Sequence, residues 1–291
     1  MNSTHTWRIG GGHEIDLATP RVMAIVNVTP DSFSDGGELP TTDAVLKYAD
    51  RAIEGGAELF DVGGESTRPG AARVPAEEQI RRVAPAVEAI ARRWPGTPIS
   101  IDTTRAEVAA AAAHAGATIV NDVSGGTEDP AMLATIVDLG VGCVLMHRER
   151  PPDRDRFSDR YSDPPIVGDA VEHVRSGLAS LLAAAESAGI DAERVVLDPG
   201  LGFGKTVEQN LALIRRTKEL LTLGRPILSG ASRKSFVGRA GLGRDSNPRE
   251  RLGASIAATV LHARAGARLF RTHDPAAHAQ ALRVLAAADG R

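Results

Sequence analysis

Short runs of β-branched and aliphatic residues alternate along the chain with longer, alanine-rich stretches in which apolar residues recur at helical spacing. A short continuous apolar run is typical of a strand that is buried on both faces of a parallel sheet. The predicted strands are Arg21–Val26, Glu58–Val62, Pro98–Asp102, Thr118–Asn121, Gly142–Met146, Val195–Asp198, Pro226–Ser229 and Ala267–Arg271. The predicted helices lie near Thr42–Glu54, Ala76–Arg93, Arg105–Ala115, Ala131–Leu139, Val167–Ala188, Glu208–Leu221, Pro248–Ala265 and Pro275–Ala287.

Several of the predicted helices end at a glycine just before the next strand, as at Gly116 and Gly266, where glycine supplies the left-handed residue that stops a helix. Strict alternation of strands and helices predicts parallel strands joined by right-handed crossovers. Eight such units close a (β/α)8 TIM barrel, whose usual size is about 250 residues. A doubly wound open sheet is the alternative, but its glycine fingerprint is absent after the first strand, which continues as Asn27-Val28-Thr29-Pro30.

The domain organisation that we predict is an α/β chain with a single barrel domain over residues 21–291. Residues 1–20 form a short N-terminal extension, which can add a hairpin that caps the barrel floor. No domain linker is evident in the sequence. The polar, Pro- and Arg-rich stretch Arg148–Pro165 after the fifth strand is interpreted as a solvated loop, since mixed charges without periodicity rarely pack.

Charge and cysteine content narrow the class of protein. The 291 residues include 34 Lys and Arg against 37 Asp and Glu, which argues against a nucleic-acid-binding protein because neutralising phosphates needs a basic surplus. The single cysteine, Cys143, allows no intrachain disulfide and fits a reducing compartment, the cytoplasm. No apolar h-region and no apolar run of about 18 residues is found, so neither a signal peptide nor a membrane span is expected.

Every predicted strand ends in, or leads directly to, a residue that forms hydrogen bonds or carries charge. One such residue is usually a helix N-cap or a turn residue, but barrel enzymes place their chemistry at the C-terminal ends of the strands. Because all eight strand ends supply such residues, the sequence favours an active site at this end of the barrel. The strand-end residues are Asn27, Asp61, Asp102, Asn121, His147, Asp198, Lys234, Arg271 and His273.

The residue types indicate what kind of ligand fits. Carboxylates and an amide at Asp102, Asn121 and Asp198 suit a flat heterocycle that presents both donors and acceptors. Cations at Arg68, Lys234 and Arg271, together with His273, suit a phosphate, and the neighbouring glycines allow backbone N–H groups to approach it. A heterocycle that carries a diphosphate satisfies both requirements.

Seven segments, in order along the chain, resemble the dihydropteroate synthases. The resemblance runs from about Arg21 to the C-terminus, and its motifs are long and fall on the predicted strand ends. The segments are Asn27–Gly37, Asp61–Gly70, Ile101–Thr103, Asn121–Gly126, Asp198–Lys205, Ser232–Phe236 and Arg271–Asp274.

The resemblance implies a (β/α)8 transferase of folate biosynthesis. Enzymes of this family condense (7,8-dihydropterin-6-yl)methyl diphosphate with 4-aminobenzoate to give 7,8-dihydropteroate and diphosphate, and they are sulfonamide targets. The resemblance also implies Mg2+, bound by the residue that matches Asn27, and a homodimer. Small molecules are then the substrates, with neither nucleic acid nor a membrane as a partner.

Individual roles follow from the same resemblance. Catalysis is assigned to Asp102, Asp198, Lys234 and Arg271, because carboxylates stabilise a pterin cation and cations stabilise the leaving group. The residues that match substrate contacts are Asp102, Asn121, Asp198 and Lys234 for the pterin, Thr67, Arg68, Arg271 and His273 near the diphosphate, Ser235 for the aminobenzoate, and also Pro69 and Phe203. The residues that match mobile loops are Phe33, Asp35 and Pro69.

Two alternatives share the pterin-binding barrel. A methyl-tetrahydrofolate methyltransferase does not need the Ser232–Ser235 motif or the long first loop, and a non-catalytic pterin-binding paralogue is expected to have eroded motifs. One segment departs from the family's pattern. After Met146-His147 the family usually continues with a Met-x-Gly-type stretch, whereas this chain has the charged stretch Arg148–Asp153.

Overall fold

The computed structural model describes residues 5–29 and 41–290. Its strands are β1 (Thr6–Arg8), β2 (Glu14–Asp16), β3 (Arg21–Asn27), β4 (Leu59–Gly63), β5 (Ile99–Asp102), β6 (Ile119–Asp122), β7 (Gly142–Met146), β8 (Val195–Asp198), β9 (Leu228–Ser229) and β10 (Leu269–Thr272). Its helices are α1 (Thr42–Glu54), α2 (Ala76–Arg93), α3 (Ala106–His114), α4 (Met132–Leu139), α5 (Ala170–Ser187), α6 (Val207–Arg215), α7 (Thr217–Leu220), α8 (Ser235–Leu242), α9 (Leu252–Ala265) and α10 (Pro275–Ala288).

Eight parallel strands form the central sheet, in the spatial order β8-β7-β6-β5-β4-β3-β10-β9. The two ends of this sheet meet at a parallel bridge between Leu197 and Ile227, where the Leu197 N–H donates to the Pro226 carbonyl at 3.0 Å. The ring of strands is therefore closed, with helices between successive strands. This confirms the predicted (β/α)8 barrel.

The barrel floor is filled from the N-terminal side. β1 pairs with β2 in an antiparallel register, and Trp7 of β1 is fully buried with its indole N–H donating to the Arg194 carbonyl at 2.9 Å. Its apolar neighbours in this layer are Ile9, Ile15, Leu17, Met23, Leu59, Ile119, Val144, Val196, Leu228 and Leu269. Because this layer seals the amino ends of the strands, the opposite opening is the one available to a ligand.

Helical segments differ from the sequence prediction at four places. One is Pro248–Arg251, which forms a 3-10 helix before α9. α8 was not predicted, because the polar motif at its start and its glycines give it a low helix propensity; it forms because Phe236 and Val237 are buried in the core. The predicted helix Glu208–Leu221 is interrupted at Arg216, whose backbone is not helical. α5 starts three residues later than predicted, where Asp169 caps it by accepting from the Val171 N–H at 2.9 Å.

The segment Arg148–Pro165 is not the solvated loop that its composition suggested. It contains two 3-10 turns, and Pro152, Asp155 and Ser158 are buried. The Asp155 carboxylate accepts from the Gly204 N–H at 2.9 Å and from the Tyr161 hydroxyl. Buried polar groups of the segment therefore have hydrogen-bond partners within the protein, and this allows the segment to pack over the barrel. None of the helices in the described part of the chain is long and apolar enough to cross a membrane.

Candidate active site

The carboxyl ends of the strands bring most of the predicted residues to one opening of the barrel. Asn27, Asp102 and Asp198 are the last residues of β3, β5 and β8. Asn121 lies in β6 and Arg271 in β10. Parallel strands of a barrel end on the same side, so these five side chains, far apart in sequence, share one cleft.

The centre of the cleft is a network of buried charges, formed by Asp61, Asp102, Asn121 and Arg271, which we call the carboxylate network. Arg271 donates through Nε to Asp61 Oδ2 at 2.5 Å and through Nη2 to Asp102 Oδ2 at 2.7 Å. Asn121 donates through Nδ2 to the same Asp61 oxygen at 3.2 Å. One guanidinium therefore compensates two carboxylates, and the network carries a net negative charge when both are ionised.

Burial within this network shifts the titration of Asp102. The pKa of Asp102 is raised to about 7, chiefly by burial; the Arg271 guanidinium opposes this shift, and the nearby Asp61 carboxylate adds to it. Asp61 is completely buried, and its Oδ1 has no hydrogen-bond partner among the residues that the structure describes. Unused acceptor capacity in a buried carboxylate is what a ligand rich in N–H groups requires.

A second group forms the adjoining wall of the cleft. The Nζ of Lys234 lies 4.0 Å from the centre of the Phe203 ring and donates to the Leu201 carbonyl. Burial lowers the pKa of Lys234 to about 7, an effect that the Asp198 carboxylate partly offsets. Asp198 itself accepts from the Gly200 N–H at 2.7 Å. Phe203 also packs with two buried apolar residues that sequence reasoning did not single out, Val123 and Met146.

The loop that carries Lys234 and Ser235 is held in an unusual conformation. Arg233 has a φ of 60°, in the left-handed region that non-glycine residues rarely adopt. Its N–H donates to Ser255 Oγ at 2.9 Å, its carbonyl accepts from Arg251 at 2.9 Å, and its guanidinium pairs with Asp274 at 2.8 Å. These contacts stabilise a strained residue next to two predicted substrate contacts, as is common in active sites.

The outer edge of the cleft, which we call the anion rim, comprises Asn27, Thr67, Arg68 and His273. Arg68 is exposed, and no ion pair or side-chain hydrogen bond of it is found within residues 5–29 and 41–290. His273 Nδ1 lies 3.2 Å from Ser232 Oγ. Burial, with Arg271 next, lowers the pKa of His273 to about 3, so the ring is neutral near pH 7.

The rim differs from the arrangement that the sequence suggested. Arg271 and His273 were expected to face the anion together, but Arg271 points to the carboxylate network and His273 carries no charge of its own at neutral pH. Arg68 is then the rim's unpaired cation among the described residues. Pro69 follows it at the same edge, whereas Phe33 and Asp35 lie outside the described residues.

The Asn27 side chain has the chemistry of a magnesium ligand. It is half-buried at the end of β3 and makes no hydrogen bond to any residue in the described ranges. Its amide oxygen is a hard donor of the type that Mg2+ accepts, and Mg2+ is usually held by one or two protein ligands together with substrate phosphates. The donor set fits an ion that arrives with a diphosphate.

Sequence reasoning did not assign roles to several residues that position the site. Lys205 is fully buried and donates to the carbonyls of His147, Gly200 and Phe203 at 3.3, 3.0 and 2.8 Å. It thereby fixes the loop that carries Phe203. Asp61 was visible at a strand end and in a family motif, but only its contacts reveal that it orients Arg271.

Comparisons with known proteins agree with this geometry. The family model described as "Pterin binding enzyme" matches residues 23–273. The dihydropteroate synthase of Mycobacterium leprae is 43% identical over 94% of this chain and 95% of its own length. A Xanthomonas albilineans dihydropteroate synthase solved with 4-aminobenzoic acid is 43% identical, covers 98% of this chain and 100% of its own, and has a TM-score of 0.87. The Yersinia pestis dihydropteroate synthase, solved in a sulfonamide complex, is 38% identical over 97% of this chain and 98% of its own, with a TM-score of 0.88.

The barrel and the polar cleft at its carboxyl end are those of a pterin-binding enzyme, and the chain belongs to that family. Its similarity to the named relatives extends over nearly the full length of both partners. Within the family, the function of the chain is that of the dihydropteroate synthases, which are transferases.

Proposed function

We propose that the protein joins the amino nitrogen of 4-aminobenzoate to the methylene carbon of (7,8-dihydropterin-6-yl)methyl diphosphate. The C–O bond to diphosphate breaks, a C–N bond forms, and the nitrogen loses one proton. The observation that carries this proposal is the buried carboxylate network next to a cationic rim. The network matches a heterocycle rich in N–H groups, and the rim matches an anionic leaving group.

The pterin side of the cleft stabilises positive charge. Departure of diphosphate from an electron-rich dihydropterin leaves a cation, and the buried carboxylates of Asp102 and Asp198 are oriented before that charge develops. Preorganised groups in a site without water act more strongly than the same groups in solution. The aniline nitrogen attacks a cation without prior deprotonation, so the mechanism needs no dedicated general base.

The anion rim receives the leaving group. Arg68 supplies a positive charge, and the neutral His273 ring together with Thr67 supplies hydrogen bonds. Asn27 would hold Mg2+ at this rim, and the ion would supply positive charge that stabilises the leaving diphosphate. The resemblance also assigns loop residues Phe33, Asp35 and Pro69 to closure over the site, where exclusion of water prevents hydrolysis of the cation.

Ser235 is positioned to receive the aminobenzoate. It is buried at the first turn of α8, where unpaired backbone N–H groups and the helix dipole favour a carboxylate. A relative binds 4-aminobenzoic acid and another binds a sulfonamide, and sulfonamides are similar in shape and charge to that substrate. We therefore expect sulfonamides to inhibit this protein in competition with 4-aminobenzoate.

The direct test is release of diphosphate by the purified protein. We expect release only when the pterin diphosphate, 4-aminobenzoate and Mg2+ are all present, together with formation of 7,8-dihydropteroate. Methyl transfer from methyl-tetrahydrofolate in its place would support the methyltransferase alternative. Tight pterin binding without either reaction would support the non-catalytic one.

A homodimer is part of the proposal. Leu261 of α9 is 59% exposed and Val284 of α10 is 70% exposed, so these two helices carry apolar residues that a partner subunit would cover. Light scattering is expected to give twice the monomer mass at micromolar concentration. The cytoplasm as the compartment stays a prediction that rests on the single cysteine.

A further inference from the structure

The charged segment after β7, which departs from the family's pattern, meets α5 at a cluster of two histidines and a glutamate. His147 Nε2 lies 3.3 Å from Glu149 Oε1, and His173 Nε2 lies 2.9 Å from the same oxygen. One ligand atom from each of the three side chains falls within 4.8 Å of the other two. The cluster is separate from the carboxylate network and the anion rim, whose residues it does not include.

The spacing of these atoms fits a single metal ion. Zinc lies about 2.0–2.1 Å from an imidazole nitrogen or a carboxylate oxygen, and a tetrahedral angle then separates two ligand atoms by about 3.3 Å. Two imidazoles and one carboxylate are also a known set for Zn2+ that keeps the fourth position for water. Small side-chain movements therefore suffice for His147, Glu149 and His173 to bind one ion.

The surrounding structure holds the ligands in place. The ring of His147 packs on Gly177 of α5, where an added Cβ would lie 2.4 Å from the ring. The backbone of His147 is held because its carbonyl accepts a hydrogen bond from the Lys205 ammonium at 3.3 Å. Arg148, between the two ligands, points away and pairs with Glu128 at 2.5 Å. The alternation places His147 and Glu149 on one side of the segment.

The charge state and access of the cluster also suit a metal. The Glu149 carboxylate supplies the negative charge of the cluster and offsets that of the nearby Lys205 ammonium. The side chain of His173 is 48% exposed, which gives an ion a route from solvent.

We propose that His147, Glu149 and His173 form a binding site for a divalent transition metal such as Zn2+. The nitrogen donors favour Zn2+, Co2+ or Ni2+ over Mg2+, which prefers oxygen ligands. The ion ties the segment after β7 to α5 and stabilises the folded protein by mass action. It is a different ion, at a different place, from the magnesium expected at Asn27.

Cobalt provides a direct probe, because four-coordinate Co2+ has intense visible absorption that hexaaquo Co2+ lacks. The full-length protein, stripped with a chelator and dialysed, is titrated with CoCl2 and, by calorimetry, with ZnCl2, without substrates. We expect one equivalent of each metal to bind, the cobalt spectrum to appear, and the thermal midpoint to rise with Zn2+ but not with equal MgCl2.

Three variants locate the site. His173→Ala removes a half-exposed ligand on the surface of α5, and Glu149→Gln keeps the shape of the second; each is expected to weaken Zn2+ binding by at least about tenfold. The matched control is His114→Ala, which removes an exposed histidine from the last turn of α3 and should leave binding unchanged. Circular dichroism verifies that each variant is folded.

The alternative to the proposal is a hydrogen-bonded cluster in which Glu149 accepts from both imidazoles and no ion binds. Absence of a one-equivalent Zn2+ isotherm in the wild-type protein would establish that alternative and overturn the proposal. Binding that persists unchanged in both His173→Ala and Glu149→Gln would also overturn it, because the metal would then lie elsewhere.

Discussion

The carboxylate network and the anion rim lie in the same cleft, but they are built in opposite ways. The network is carried on strands, and its two carboxylates are buried and already paired with the partly buried Arg271 before any ligand arrives. The rim is carried mainly on loops, where Arg68 is exposed and Asn27 has no hydrogen-bond partner among the described residues.

From this difference we infer that the network and the rim bind different parts of the ligand. Strands fix side chains accurately, so the network can discriminate a heterocycle by its pattern of donors and acceptors. We propose that diphosphate and a Mg2+ ion complete the rim, because they would supply the partners that Arg68 and Asn27 lack among the described residues. Changes in the network are therefore expected to affect folding and pterin recognition together, whereas changes in the rim affect only the anion.

The largest effect is expected from Arg271→Met. The substitution leaves two buried carboxylates without their shared cation, which costs about 3–5 kcal/mol in the free energy of unfolding. Arg68→Met is the matched control and is expected to change that free energy by no more than about 0.5 kcal/mol. Urea unfolding of both variants measures the contrast. Equal shifts of the urea midpoint in the two variants would mean that Arg271 contributes no more to folding stability than Arg68 does.

Asp198→Asn is expected to have the next largest effect. The substitution removes a buried negative charge from the pterin side, and the loss of one charged hydrogen bond weakens pterin binding by about 1.5–3 kcal/mol. Diphosphate binding should stay as in the wild type. Calorimetry with 6-hydroxymethylpterin and with diphosphate measures both, and Asp138→Asn, on the exposed side of α4, is the control. An equal loss of affinity for 6-hydroxymethylpterin and for diphosphate would contradict the assignment of separate regions to the two ligands.

The third prediction concerns the metal at the rim. Asn27→Ala removes one neutral ligand from an ion that is held mainly by diphosphate, so the Mg2+ concentration for half-maximal activity should rise by about tenfold. Activity at saturating Mg2+ should recover most of the wild-type value. Titration of the activity of the wild type and of Asn27→Ala with Mg2+ measures this. Identical curves would show that Asn27 is not a metal ligand.

Arg68→Ala should weaken diphosphate binding by less than about 1 kcal/mol at physiological salt, because an exposed charge is screened. The effect should grow as the ionic strength is lowered, and pterin affinity should not change. Binding isotherms at two salt concentrations measure the difference. A loss that is the same at both salt concentrations would indicate that Arg68 is shielded from solvent when the ligand is bound.

The smallest effect is a proton taken up at His273. Its pKa is about 3 in the free protein, and a bound diphosphate raises that pKa by favouring the charged ring. At a pH between the pKa of His273 in the free protein and its pKa in the complex, the complex holds more protons than the free protein. Diphosphate binding therefore tightens as the pH falls. Calorimetry at about pH 4, close to the free pKa, in buffers of different ionisation enthalpy should show an uptake that His273→Gln lowers. Identical uptake in the variant would assign the proton to another group.

The fold was largely predictable because its signals are local. α1 and α2 have the predicted bounds, since apolar spacing and helix stops define an amphipathic helix within its own sequence. α8 and the packed segment Arg148–Pro165 were missed because their stability comes from tertiary contacts, buried Phe236 in one and buried Asp155 in the other. Helix propensity depends on the local sequence and does not reflect such contacts.

The sequence by itself determined the closed barrel, the opening where the site lies and the type of chemistry, because strand ends and family motifs can be identified in the chain. Only the tertiary structure decided which charges pair. Arg271 lies 210 residues from Asp61 and 169 from Asp102, and its turn toward them instead of toward His273 follows from barrel closure. Electrostatic partners depend on distances in space, and burial strengthens the pairs that those distances select.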